Sequence, residues 1–387
     1  MFLPDNYEFV CPVKINSGNR ALENIPVELD ALNARKPLVI TGKDASQRGL
    51  VDVLSDAFKD SGITIGIFDG VPPAPDLKLI RELFRIYCDK GYDAVIALDG
   101  GPVSDTAKML NIAASGEPED LERYAGCDLI KKPLKPLVFI QTLSGSGYET
   151  SKYAHFGGRV YFSRFLMPDL VVIDPRITVQ KDAKTTAAAT LVALTHSVEA
   201  YAGRDKNPLI DSYAYTAIQF IMENLLNVLR NEHDKKGRLA LANAHCMAGC
   251  AFSNAPPGMT HELGKAAGDA CGSAHGLCMG ILLPYVLERQ VSLPGFHTAD
   301  LLLPLAGFDV YAGTTGTLRA QKAISLLHDL QDDLFKLSGG AVSRTLKDLN
   351  ISKDVLKDMA RQAVGEGLKG FDAEDHLAIL KQAWEGR

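Results

Sequence analysis

The sequence predicts an α/β unit built on a parallel sheet, over residues 1–178, followed by an all-helical unit over residues 179–387. Two observations carry this. Up to Pro175, short apolar runs of strand length alternate with segments of helical periodicity. From about residue 180 the periodicity is helical, and no run has strand character. Alternation of the first kind implies parallel strands joined by helices, a sheet whose ligands bind outside the carboxyl ends of its strands.

Taken in order, 37–41 (PLVIT) is a strand closed by Gly42, and 45–60 follows with helical spacing. A strand at 63–68 (ITIGIF) ends in the turn-rich 69–75 segment, and a helix near 77–90 leads into the strand 93–98 (DAVIAL). That strand runs into Asp99-Gly100-Gly101 and then a helix over about 103–114. The strand 136–141 ends in the small-residue loop 142–147, and 169–174 (DLVVID) closes the series. Helices follow at 183–201, 209–230, 234–252 and 257–267, with more to the end.

Bulk properties narrow the class of function. A chain of 387 residues with 46% hydrophobic and 23% charged content suits two globular domains. A net charge of −6 argues against nucleic-acid or anionic-membrane partners. The start carries no basic, then apolar, leader pattern, and no apolar run has bilayer length. Seven scattered cysteines suit buried thiols in a reducing compartment, so the expectation is a cytoplasmic protein.

Chemistry concentrates in two kinds of segment. Asp99-Gly100-Gly101 stands between a strand and a helix, the context in which glycines let a phosphate reach a helix N-terminus. The loop from Thr142 to Gly147 is a second strand-end loop of small and hydroxyl residues, and two such loops favour a nucleotide. In the helical half, His261 and His275 lie fourteen residues apart in GMTHELGKAAGDACGSAHG, with His196 on an earlier helix. On one straight helix the two imidazoles would be roughly 21 Å apart. Gly268 and Gly272 can instead end the helix and fold the chain back. Convergent imidazoles suit Zn²⁺ or Fe²⁺; the alternative is three unrelated helix histidines.

These segments together resemble the iron-containing alcohol dehydrogenase family along essentially the whole chain. AVIALDGGPVSDTAK (94–108) resembles the family's GGGS-x-x-D-x-x-K loop, and QTLSGSGYET (141–150) its TT-x-G-T-G-S-E motif. ATLVALTHSVEAY (189–201) resembles GMDALTHAIEAY, and the histidine segment resembles H-x-x-x-H…H-G. The resemblance implies the fold shared with dehydroquinate synthases and a nicotinamide cofactor on the first domain. It also implies a divalent metal held between the domains by one Asp and three His, which fall on His196, His261 and His275. Cofactor contacts are expected from Gly42, Lys43, Asp99, Gly100, Gly101, Pro102, Thr142, Leu143 and Ser146, with Arg159 near a basic position used by relatives.

The departures from that pattern have physical content. Val192 stands where the family has the Asp ligand, and Lys265 where it has the second His of H-x-x-x-H. The pocket thereby gains about two positive charges, which a dication tolerates poorly without an anion. Either three neutral histidines still hold the metal, or the metal is gone and Lys265, the candidate catalytic residue, polarises the carbonyl. Asp99 replaces the first Gly of the cofactor loop and Pro102 its Ser, adding a carboxylate and removing a donor. Alternatively, Asp99 points away and caps the next helix. Gly42 with Lys43, where NAD-selective relatives carry Asp, leans towards NADP(H) over NAD(H). The expected activity is interconversion of a small alcohol and aldehyde, with an acidic substrate offsetting the added charge, by a homo-oligomer such as a dimer. The rivals are a lyase or cyclase of the dehydroquinate synthase type and a non-catalytic nucleotide-binding relative.

Overall fold

Among the described residues, nine short strands, all within residues 10–179, build the first unit: β1 (Lys14–Ser17), β2 (Pro37–Ile40), β3 (Gly66–Phe68), β4 (Ala94–Leu98), β5 (Gly126–Cys127), β6 (Leu137–Ile140), β7 (Tyr153–Phe156), β8 (Arg159–Phe162) and β9 (Leu170–Ile173). The structure is a computed structural model that describes residues 3–116, 120–142, 145–178, 182–231, 233–272, 275–363 and 370–386. Six strands form one sheet in the order β1-β9-β6-β4-β2-β3, every pair parallel. Val39, Ile96, Val138 and Leu170 lie in register on one face, packed with Leu22, Ile25, Leu29, Leu54 and Phe58. The alternate residues Leu38, Val95, Phe139 and Val171 are equally buried. Both faces are therefore covered, which is why these strands read as continuous apolar runs rather than alternating ones.

Strand order reverses beside β2, which has β3 on one side and β4 on the other. In an open parallel sheet the crevice beyond such a reversal is where ligands bind. Three segments leave the sheet there: Thr41-Gly42 after β2, Asp99–Gly101 after β4 and Gln141-Thr142 after β6. Thr41 Oγ1 donates to the Leu98 carbonyl at 2.6 Å and ties the first two together.

The architecture is the α/β plus all-helical one that the sequence predicts, with local differences. The helix expected over 45–60 is two, Lys43–Gln47 and Leu50–Phe58, because Gly49 between them takes φ 72°. A second sheet of β5, β8 and β7 is new. Its β7–β8 hairpin turns at Gly157-Gly158, with φ of 58° and 72°, the left-handed pair that matches strand twist. A single buried ammonium anchors this sheet. Lys108 on the helix Pro102–Ser115 donates to the carbonyls of Tyr148 (2.7 Å), Ser151 (2.9 Å) and Tyr153 (2.6 Å). Asp105, one turn earlier, accepts from the His155 amide at 3.0 Å.

The second unit holds residues 180–387 together with 1–9, and Phe9 stacks on Tyr213 at 5.5 Å. Helix starts follow the capping residues. Asp182, Asn207 and Asp234 each accept from an amide of the first turn, opening Ala183–Ala202, Pro208–Arg230 and Lys235–Phe252. Ala183–Ala202 is buried on nearly every side, which its alanine content permits. Met259–Cys271 and His275–Gln290 pack against it and each other. Among the described residues no helix is long and apolar enough to cross a membrane.

Lys108→Met keeps the length of the side chain but takes the ammonium donor from three carbonyls, that of Ser151 buried and those of Tyr148 and Tyr153 partly so, and removes the charge that favours ionised Asp105. A loss of about 3 kcal/mol or more is expected, because groups left unpaired in the interior cost their full desolvation. Urea denaturation, with amide exchange over 148–156, measures it; a change below about 1 kcal/mol would show that the lysine is not an anchor.

Candidate functional site

In the α/β unit, candidate residues gather at the strand ends. Gly42 precedes the helix Lys43–Gln47 as its N-cap, and Lys43 is exposed. A Cβ on Gly42 would meet only the Val71 carbonyl, at 3.5 Å, so a side chain fits there. Asp99 ends β4 at φ 114°, a backbone that residues other than glycine rarely adopt. Its Oδ1 accepts from the Gly100 amide at 2.8 Å and from Thr142 Oγ1 at 2.6 Å. Asp99 thus neither points away nor caps the helix Pro102–Ser115, whose N-cap is Gly101 with no side-chain cap bond.

The second loop closes on the first. Glu149 Oε2 accepts from the Gly147 amide at 2.8 Å, and burial holds the carboxyl above the usual range, with Asp99 adding to the effect. Its Oε1 and the side-chain amide of buried Gln141 have no hydrogen-bond partner among the described residues. Both lie so near Gly145 that any Cβ there would collide with them. Ser146 is buried in this loop, Pro102 is exposed at the first helical position, and Leu143 lies outside the described residues. Arg159 is placed elsewhere, on β8 of the small sheet, where it pairs with Glu122 at 2.8 Å.

In the helical unit the three histidines separate into a pair and an outlier. His196 Nε2 and His261 Nδ1 are 3.2 Å apart in a direct imidazole–imidazole hydrogen bond, with Phe252 stacked on His196 at 3.9 Å. Burial pushes His261 down to about 3, helped by Lys265 and then His275, so it is neutral. His275 begins the next helix half-exposed and bonds Asp269 at 3.3 Å. The chain turns back at Gly272, φ 62°, as expected, but Gly268 serves differently. Helix Met259–Cys271 runs through Gly268, and the His275 ring lies on the space a side chain would fill. Val192 is buried, and its Cγ2 would be 2.8 Å from a Cβ on Gly276, so a methyl and a helix backbone meet where a carboxylate ligand would stand.

Two further features of this region are not among the site residues expected from the sequence. Glu199, three residues after His196, accepts from the Thr260 amide at 2.6 Å and so caps the helix that carries His261. Its carboxyl is pushed up to about 7 by burial, against hydrogen bonds from Thr260 and His261. Glu199 also borders a cavity of about 350 Å³ with Arg204, Pro257, Met259 and Phe296. None of His196, His261 or Lys265 lines it.

A parallel sheet with glycine loops at its strand reversal, joined in sequence to a helical unit with paired histidines, defines a nucleotide-dependent enzyme class. Comparison with known proteins gives the family. The iron-containing alcohol dehydrogenase model matches residues 12–175, and the Fe-containing alcohol dehydrogenase C-terminal model matches 186–384. The chain belongs to the iron-containing alcohol dehydrogenase family. It is 32% identical to long-chain-alcohol dehydrogenase 1 of Geobacillus thermodenitrificans, covering 96% of this chain and 93% of the relative. Identity to the 1,3-propanediol dehydrogenase of Klebsiella pneumoniae is 29%, over 98% and 99%. A crystal structure of 1,3-propanediol oxidoreductase superposes with a TM-score of 0.90 at 28% identity, covering 98% of this chain and all of the other.

Family membership implies a nicotinamide dinucleotide and a divalent metal, and the residues present treat the two differently. The glycine loops at the sheet reversal, with the orphaned Gln141 amide beside them, fit a dinucleotide. The helical unit does not fit the expected metal centre. Among the described residues no three His, Cys, Asp or Glu side chains come together to hold an ion. The facing nitrogens of His196 and His261 satisfy each other, His275 is engaged by Asp269, and position 192 offers no oxygen.

Glu199 makes stability depend on pH. Because its folded pKa lies above its ordinary value, the native protein binds the proton more tightly than the unfolded chain. Its contribution is complete below about 4.5 and is lost as pH rises through about 7. Glu199→Gln keeps an acceptor for Thr260 but cannot titrate. Thermal unfolding from pH 5 to 8 should show a decline in the wild type that the variant lacks; parallel profiles would assign the titration elsewhere.

Proposed function

We propose that this enzyme interconverts a small alcohol and its aldehyde with NAD(P)(H), and that Lys265 supplies the positive charge at the substrate. One observation carries the assignment of Lys265. Its ammonium, one helical turn beyond His261, forms no ion pair among the described residues, and its charge is felt by both His261 and Glu262. A cation with no ion-pair partner among the described residues, close to the neutral His261 imidazole, can stabilise oxygen as negative charge develops on it. The nicotinamide ring, when bound, gives or takes the hydride. Gly42, Gly100, Gly101 and Thr142 would cradle the dinucleotide, and neutral His261 beside His196 can relay a proton at its facing nitrogen.

The substrate class follows from charge. With Val192 in place of a carboxylate and Lys265 in place of an imidazole, the helical unit favours an aldehyde that bears its own carboxylate, phosphonate or sulfonate. Pairing with Lys265 repays part of the desolvation of such a group. Lys265→Ala should lower kcat/KM for an acidic aldehyde such as glyoxylate by about tenfold more than for propanal, since hydrogen bonds to charged groups are worth about 1.5–3 kcal/mol. Metal analysis of the active protein should find far less than stoichiometric iron or zinc. Stoichiometric metal with activity lost on chelation, or preference for propanal unaltered in the variant, would overturn the assignment.

Cofactor choice rests on Gly42 and Lys43, which leave room and a positive charge where an acidic residue would repel a 2′-phosphate. NADPH should bind more tightly than NADH. Gly42 has φ −89° and open space, so Gly42→Asp is accommodated and should reverse the order. Fluorescence titration reads both; tighter NADH binding by the unaltered protein would count against NADPH.

A further inference from the structure

Resting on the reading of the strand-end loops as a dinucleotide cradle, we propose that Asp99 is a built-in competitor of the cofactor diphosphate, set to hold cofactor affinity down. Three features of the loop support this. First, position. Asp99 ends β4 immediately before Gly100, Gly101 and the helix Pro102–Ser115, where backbone amides and the helix dipole would receive an anion. Second, hydrogen bonding. The carboxylate takes the Gly100 amide at 2.8 Å and the Thr142 hydroxyl at 2.6 Å, one donor from each loop that a diphosphate would use. Pro102 has already removed the amide of the first helical residue, so the donors left are few. Third, strain. The residue holds φ 114°, so the loop keeps a carboxylate there despite a backbone cost that glycine would avoid.

The consequence is a cradle that carries its own anion. Asp99 is almost fully buried and its neighbour Glu149 faces the same loop, since a Cβ on Gly100 would come within 2.5 Å of Glu149 Oε1. An incoming diphosphate must displace the Asp99 carboxylate from Gly100 and Thr142 or bind beside it, and little solvent is available to screen the repulsion. Asp99 also ties the β4 loop to the β6 loop, so displacing it loosens both.

Two substitutions separate charge from occupancy. Asp99→Gly removes the carboxylate and suits the positive φ; Asp99→Asn keeps an acceptor for Gly100 and Thr142 without the charge. Calorimetric titration of the full chain with NADH and with NADPH should show tightening of about tenfold or more for Asp99→Gly, and a smaller gain for Asp99→Asn, as expected for removing a buried like charge. Thermal unfolding without cofactor checks that both variants fold. Unchanged or weaker affinity in both variants, with a wild type that binds, would overturn the competitor role alone. Absence of binding by the wild type and both folded variants would overturn the cradle reading and this proposal with it.

Discussion

The helical unit depends on how closely three helices approach one another. Gly264 admits Met279, Gly268 admits the His275 ring, Gly276 meets the Ala188 carbonyl and Val192, and Gly280 meets Leu191. Each of these contacts occupies the space of a side chain, so the seam between Ala183–Ala202, Met259–Cys271 and His275–Gln290 sets where the histidines stand. It brings His196 against His261 and seats His275 over Gly268. Interiors packed this tightly do not deform gradually, so a methyl at position 192 fixes the character of that part of the seam. An apolar contact there is compatible with the packing and leaves the neighbouring imidazoles to bond each other.

The α/β unit is organised by a different constraint, the covering of both sheet faces. Strands buried on two sides can offer polar groups only at their ends, and the order reversal beside β2 concentrates those ends into one crevice. Lys108 and Asp105 then serve the scaffold, holding the 148–156 segment to the helix that follows β4. Glu149 extends the same network towards Gly147. The strand-end loops are thus braced by buried ionisable groups behind them.

The sequence made the central strands and the long helices legible because their signals are local. PLVI, AVIAL, LVFI and LVVI are apolar throughout, and Asp182, Asn207 and Asp234 cap helices by immediate neighbours. What stayed hidden depends on partners far along the chain. β1 is a polar, exposed segment that becomes a strand only by pairing with β9. Glu199 reaches residue 260 and Lys108 reaches residue 153, and neither spacing has a sequence signature. The break at Gly49 and the fit of His275 onto Gly268 are likewise set by three-dimensional approach. Spacing could nominate three histidines, but only side-chain direction shows which two meet.

Positions that match the family's motifs and positions that change its charges serve different parts of the structure. Asp105, Lys108, Glu149 and Glu199 match the motif positions, and each is engaged in internal hydrogen bonds that hold a loop or a helix start. Asp99, Pro102, Val192 and Lys265 differ from the motifs, and each changes a charge or a hydrogen-bond donor. A scaffold can keep its buried network while its ligand-facing charges are rewritten, because the two sets share few hydrogen bonds. Thr142 is the exception, since its hydroxyl serves Asp99 directly. That bond couples the carboxylate at position 99 to the segment after β6, so its charge bears on both strand-end loops rather than on one amide.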